Sequence, residues 1–176
     1  MRYNLFPCID KYQKWQISAL LKSCSDEFIP PLDYRSSPAQ ENFADRAGTG
    51  TYYQEILEHE FILATDHEEI VGLLAFLNRP PFLPQAEIYI SVVCVDKKCR
   101  GQGIARNLYR NLFFHLSSQH YDYNIFIRTW STNIIHRALL IHLGFTTEKV
   151  IPNHRGDGID TIYYKYQCKF TNNLDS

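Results

Sequence analysis

Two glycines flanked by cations stand where an apolar run gives way to an amphipathic one: Val93-Cys94-Val95-Asp96-Lys97-Lys98-Cys99-Arg100-Gly101-Gln102-Gly103-Ile104-Ala105. Glycine tolerates the backbone angles of a tight turn. A turn that opens a helix presents free N–H groups and the positive end of the helix dipole to an anion. The chemistry is phosphate binding. No Lys-Ser/Thr pair follows the second glycine, which argues against a P-loop, and Arg106 stands where a dinucleotide fingerprint needs a third glycine.

The elements that must position this turn follow from hydrophobic periodicity. Residues 86–95 are β-branched and apolar enough for a central strand, and Ile104, Leu108, Leu112 and Leu116 recur at helical spacing with Ala105, Tyr109 and Phe113 beside them. Strand, glycine turn and helix thus come in the order phosphate binding requires. A second strand over 124–129 runs through Thr129-Trp130-Ser131-Thr132-Asn133 into a helix that closes at Leu143-Gly144-Phe145, with Gly144 as its left-handed cap.

Upstream, a strand is predicted over 2–6, followed by a helix capped by Asp10 that presents Ile17, Leu20, Leu21, Cys24 and Phe28 on one face and stops at Pro30-Pro31. Residues 33–51 read as a long ordered loop, 52–59 as a short helix, and 61–65 and 70–77 as strands joined by a tight turn. Residues 146–151 and 161–170 read as an antiparallel hairpin. The chain is expected to form a single domain over 1–176.

The pattern Lys98-x-x-Gly101-x-Gly103 at a helix start, with Asn133 and the Gly144-Phe145 ending, resembles the GNAT N-acetyltransferase superfamily. That resemblance implies an α/β fold (an α+β mixed sheet): a central, mostly antiparallel sheet flanked by helices that binds acyl-coenzyme A. It implies acetyl-CoA (coenzyme A) as co-substrate, no metal, and direct acetyl transfer in a ternary complex to a primary amine of a small molecule or peptide. By the same resemblance Val93, Cys94 and Val95 pair their backbone with the pantetheine arm. Lys98, Cys99, Arg100, Gly101, Gln102, Gly103, Ile104 and Ala105 hold the pyrophosphate, and Asn133 bonds the pantetheine from the second helix. Lys98 replaces the usual Arg or Gln, keeping charge but losing the planar fork. Leu140 stands where the family often carries a tyrosine that protonates the departing thiolate, and leucine cannot do so. A catalytically silent acyl-CoA-binding module is therefore an open alternative, as is a phosphate-binding domain similar by chance.

For proton transfer the sequence offers two candidates. Glu87 shares strand parity with Tyr89, Ser91 and Val93, provided no bulge intervenes, and is the candidate general base. His136 shares a helix face with Asn133 and Leu140 and is a candidate donor to the thiolate or contact to the cofactor. His59, His142 and His154 read as surface or capping histidines. Trp130 and the tyrosines read mainly as core, one or two of them lining an acceptor pocket built near residues 30–60 and 151–160.

Composition sets the remaining bounds. With 176 residues, 45% of them hydrophobic, and a net charge of −1, the chain can bury one substantial core and is no nucleic-acid binder by charge. Eleven acidic residues face two basic ones between Asp26 and Glu69, whereas eleven basic face four acidic ones between Lys97 and Lys169. The basic half suits a polyphosphate, and the acidic half an acceptor arriving as an ammonium. Five cysteines without a Cys-x-x-Cys pair read as reduced thiols, and neither a signal-peptide core nor a membrane span is legible. A cytoplasmic protein, monomer or homodimer, is expected.

Overall fold

The computed structural model describes residues 1–35, 37, 51–119 and 122–168. Of the long loop expected over 33–51, residues 36 and 38–50 lie outside that set, as do 169 and 170 at the end of the last predicted strand. The elements run in the order β1 (Arg2–Phe6), α1 (Lys11–Ser23), α2 (Thr51–Ile56), β2 (Glu60–Asp66), β3 (Glu69–Asn78), β4 (Ile88–Val95), α3 (Ile104–Ser117), β5 (Tyr123–Trp130), α4 (Ile134–His142), β6 (Thr146–Ile151) and β7 (Thr161–Cys168). The seven strands form one mixed sheet of order β1-β2-β3-β4-β5-β7-β6, antiparallel except for β4 and β5.

Local chemistry accounts for the helix boundaries. Asp10 accepts the Gln13 N–H at 2.8 Å while the Gln13 side chain accepts the Asp10 N–H at 3.0 Å, a reciprocal box that starts α1. Gln16 then fastens α1 to the β2–β3 turn, donating to the Glu68 carbonyl and accepting from Ile70 N–H. Asn133 caps α4 by accepting the His136 N–H, and Gly144 ends it at φ 90°.

The helices divide between the two faces of the sheet. Ile17, Leu20, Leu21 and Cys24 of the α1 segment bury with Tyr52 and Ile56 of α2 against Phe61, Leu63, Leu73 and Ala75. On the other face Ile104, Leu108, Leu112 and Leu116 of α3 and Leu140 of α4 bury with Ile62, Leu74, Ile88 and Ile125. A β-carbon on Gly72 of β3 would lie 2.9 Å from Ile104 Cγ2, so only glycine lets the start of α3 sit this close to the sheet.

Two irregularities shape the centre of the sheet. Ala75 pairs with Val92 but Phe76 pairs with Ile90, which leaves Ser91 as an extra residue in β4. The bulge reverses strand parity: Ile88 and Ile90 face the α3 side, whereas beyond it Val92 and Cys94 face α1 and Val93 and Val95 turn to the α3 side. The parity that grouped Glu87 and Tyr89 with Val93 therefore breaks at Ser91. The second irregularity is that β4 and β5 pair only over Ile88–Ile90 with Ile125–Ile127 and then part.

Candidate active site

Where β4 and β5 separate, a cavity of about 590 Å³ opens between Ser91 through Val95 on one strand and Ile127 through Trp130 on the other. Its wall continues through Cys99, Arg100, Gly101, Gly103, Ile104 and Ala105 to the start of α3, and through Asn133, Ile135, His136 and Leu139 along α4. The sequence-predicted cofactor residues are thus largely brought together. Lys98 and Gln102 are the exceptions: both are exposed, and neither lines the cavity.

The glycine turn has the features of an anion cradle. Gly101 and Gly103 adopt φ 76° and 75°, and a β-carbon at either would meet nothing within 4 Å. Backbone conformation, not crowding, selects glycine here. Asp96 orders the approach by accepting Lys98 N–H at 2.8 Å, and its carbonyl accepts Cys99 N–H at 2.9 Å. The N–H groups of Gln102, Gly103, Ile104, Ala105 and Arg106 donate to no acceptor among the described residues. A phosphate group would satisfy donors that the fold itself leaves open.

Arg100 is held as a bracket at the mouth of the cavity. It donates to both Glu27 carboxylate oxygens at 2.7 and 3.2 Å and to the Val95 carbonyl at 3.0 Å, and it lies 3.6 Å from Cys24 Sγ. The bidentate bond to Arg100, with Lys97 assisting, holds the Glu27 carboxyl below its usual range. The neighbouring Cys94 thiol, with Ser23 and the Arg100 charge assisting and burial opposing, holds the Cys24 thiol below its ordinary value.

The two proton-transfer candidates meet different fates. Glu87 lies before β4 begins and does not line the cavity; its carboxylate accepts the Asn124 N–H at 2.7 Å and closes the joined end of β4 and β5. His136 does line the cavity, and its Nε2 lies 2.8 Å from the hydroxyl of the buried Tyr109. Burial lowers His136 to about 4, so its imidazole is neutral at pH 7. Leu140 is fully buried in the α3-side core.

Several cavity residues carried no sequence signal. His59, expected at the surface or as a cap, lies behind the wall and does not line the cavity: it is 5% exposed, and its Nδ1 is 2.8 Å from Oγ of the lining residue Ser91, which donates to the Ala75 carbonyl at 3.0 Å. Burial lowers His59 to about 4. Phe28, Trp130, Arg35, Arg128 and Arg155 line the remaining wall, where an ammonium-attracting surface was expected. Arg35 and Arg155 come from the two regions anticipated for an acceptor pocket, but their identity as paired cations is a product of folding. Trp130 is a cavity wall as well as a packing partner, its ring 5.8 Å from that of Phe28.

Comparison with known proteins agrees with this geometry. The model of the acetyltransferase (GNAT) family matches residues 19–145. No curated protein matches the sequence. Among solved structures, the aminoglycoside 6'-N-acetyltransferase from Enterococcus faecium is 16% identical with a TM-score of 0.66, covering 95% of this chain and 97% of its own. An aminoglycoside 6'-N-acetyltransferase complexed with coenzyme A is 18% identical with a TM-score of 0.67, covering 95% and 97%. The ribosomal-protein-S18-alanine N-acetyltransferase from Escherichia coli is 12% identical with a TM-score of 0.67, covering 99% of both chains. At these identities the likeness is one of fold.

Proposed function

We propose that this chain, which belongs to the acetyltransferase (GNAT) family, transfers an acetyl group from acetyl-coenzyme A directly to a primary amine held in the same cavity. The observation that carries the reading is the parting of β4 from β5 directly above the glycine turn. It leaves one strand edge available to an extended amide chain and, at its end, a set of open N–H donors for a diphosphate. The thioester supplies an activated acyl group. What the chain supplies is position, and proximity alone can contribute on the order of 7–11 kcal/mol.

The roles follow from the wall. Val93, Cys94 and Val95 offer backbone groups to the pantetheine arm, and an N–H there donates to the carbonyl oxygen as negative charge develops on it. Gly101, Gly103, Ile104 and Ala105 hold the diphosphate. Asn133 already spends its carbonyl on capping α4 and its amide on Thr129 Oγ1 at 3.3 Å, so its contact to the arm shares a side chain in structural use. His136, neutral and held by Tyr109, faces the sulfur as a hydrogen-bonding group, with the thiolate taking its proton from solvent. Glu27, whose lowered pKa makes it a weak proton acceptor, is not the base. The amine enters in its neutral form, and as its C–N bond forms and the C–S bond breaks the nitrogen gives up one proton to solvent.

The test is acetyl-coenzyme A binding by calorimetry, with thiol release across an amine panel. Gly103→Val forces a β-branched residue to φ 75° at the N-cap of α3, a backbone conformation it rarely adopts, so the turn must rearrange. The expected result is loss of coenzyme A binding by at least a hundredfold while circular dichroism stays unchanged. Unaltered affinity would remove the cradle from the reading.

A further inference from the structure

Ser91 stands where β4 leaves β5, as the extra residue of the bulge and the first residue of its strand on the cavity wall. Its hydroxyl is held from behind. Oγ lies 3.0 Å from the Ala75 carbonyl oxygen and 2.8 Å from Nδ1 of the buried His59. A carbonyl oxygen can only accept, so the single hydroxyl hydrogen of Ser91 is directed at Ala75. The ring must then donate. His59, kept neutral at pH 7 by burial, carries its one ring hydrogen on Nδ1 and gives it to Ser91 Oγ.

A hydroxyl oxygen has two lone pairs, and Nδ1–H of His59 uses one of them. No other described group bonds to Ser91 Oγ, so the second lone pair is open and the oxygen can act toward a ligand only as an acceptor. His59 directly precedes β2 and shares the parity of Phe61 and Leu63, which places this pair on the α1–α2 side of the sheet, where Phe28 bounds the cavity.

We infer that Ser91 Oγ, granted the acetyl-transfer reading above, binds and orients the acceptor amine by accepting one of its N–H hydrogens, and that His59 is a positioning residue that fixes Ser91 in this role. An arm laid from the glycine turn past Val95 to Val93 brings its thioester to the fork of β4 and β5, and Ser91 stands two residues further on. A nitrogen attacking there must aim its lone pair at the carbonyl carbon and turn an N–H away from it. As the C–N bond forms, positive charge grows on nitrogen and the N–H···Oγ bond strengthens, so the contact contributes more in the transition state than in the ground state. No proton changes hands at Ser91. Its oxygen keeps the hydroxyl hydrogen, and the proton lost from nitrogen goes to solvent.

The experiment has a spectroscopic arm and a kinetic arm. Heteronuclear NMR of the histidine rings, with His59→Asn identifying the His59 signals, reads the tautomer in the parent chain, and the expected form is Nδ1–H. Thiol release from saturating acetyl-coenzyme A is followed with ethanolamine, spermidine, L-lysine, glycinamide and kanamycin A, and coenzyme affinity is measured by calorimetry. For the amine turned over fastest, Ser91→Ala lowers kcat/KM at least tenfold while acetyl-coenzyme A affinity changes less than threefold. Ser91→Thr, which keeps the hydroxyl, stays within threefold of the parent. His59→Leu loses at least fivefold, and His59→Asn, whose amide can donate from nearly the place of Nδ1, recovers most of that loss. Circular dichroism reports that each variant folds, and the parent spectrum decides the hydrogen assignment whether or not a variant does. A parallel fall in kcat/KM and coenzyme affinity in Ser91→Ala means that the residue only shapes β4 and overturns the inference. So do an unchanged kcat/KM, an Nε2–H tautomer, or acetyl-coenzyme A binding without acetylation of any of these amines; the last outcome leaves the coenzyme site standing. Failure to bind acetyl-coenzyme A at all removes both readings.

Discussion

At Glu87 and His136 the surroundings of a side chain decide its chemistry. Glu87 spends its carboxylate on Asn124 N–H at the joined end of the central strands. Glu87→Gln should therefore leave turnover within twofold at every pH while lowering stability by about 1 kcal/mol, the usual scale for weakening one hydrogen bond to a charged group. Turnover and urea denaturation measured together check this, and a large fall in turnover would restore Glu87 to the mechanism. His136 is held neutral by burial, and a true general acid is worth about 10²–10⁴ in rate. His136→Ala should cost less, about tenfold in kcat, and a drop beyond a hundredfold would make it the acid. The sequence could name both residues because their types are visible in it. It could not place Glu87, because the Ser91 bulge reverses the strand parity on which the Glu87 argument depended.

At the level of elements, the cradle depends on how closely α3 approaches β3. The Gly72 contact is the control point: Gly72→Ala would put a methyl 2.9 Å from Ile104 Cγ2, at the first residue of the helix that offers the open N–H groups. Overpacking of this kind costs about 1–3 kcal/mol. The substitution should lower the melting temperature and also weaken coenzyme A binding several-fold, since the helix start must shift; calorimetry and a thermal melt report the two separately. Elements were the most legible part of the sequence. The Asp10 cap, the α3 stripe and the Gly144 stop are each local signals spanning a few residues or one helix, and the strands around them have the expected alternation or apolar runs. The parting of β4 and β5 is not local, because it reflects how 88–95 and 123–130 meet across the sheet.

For the molecule as a whole, acid is the informative perturbation. His59 and His136 each have folded values near 4 against an ordinary 6.5, both lowered by burial. The unfolded chain then binds more protons than the folded one between these values, so stability is full above about pH 6.5 and declines as pH falls toward 4. The slope approaches about 1.4 kcal/mol per pH unit for each histidine. Denaturant midpoints at pH 7, 6, 5 and 4 check it, and His59→Gln should flatten the slope if the variant folds. A flat profile in the parent chain would contradict the lowered values of both rings.

What the sequence by itself determined is the family, the order of strands and helices and the glycine turn that opens α3, because each is written in short-range pattern: periodicity, caps, and glycines at two-residue spacing before a helix. What only the tertiary structure decided is the far wall of the cavity. Arg35, Arg128 and Arg155 are separated by 93 and 27 positions and look like ordinary surface charges until chain packing brings them together. Side chains so distant in sequence interact through space alone, and the field they make together cannot be read from any one segment.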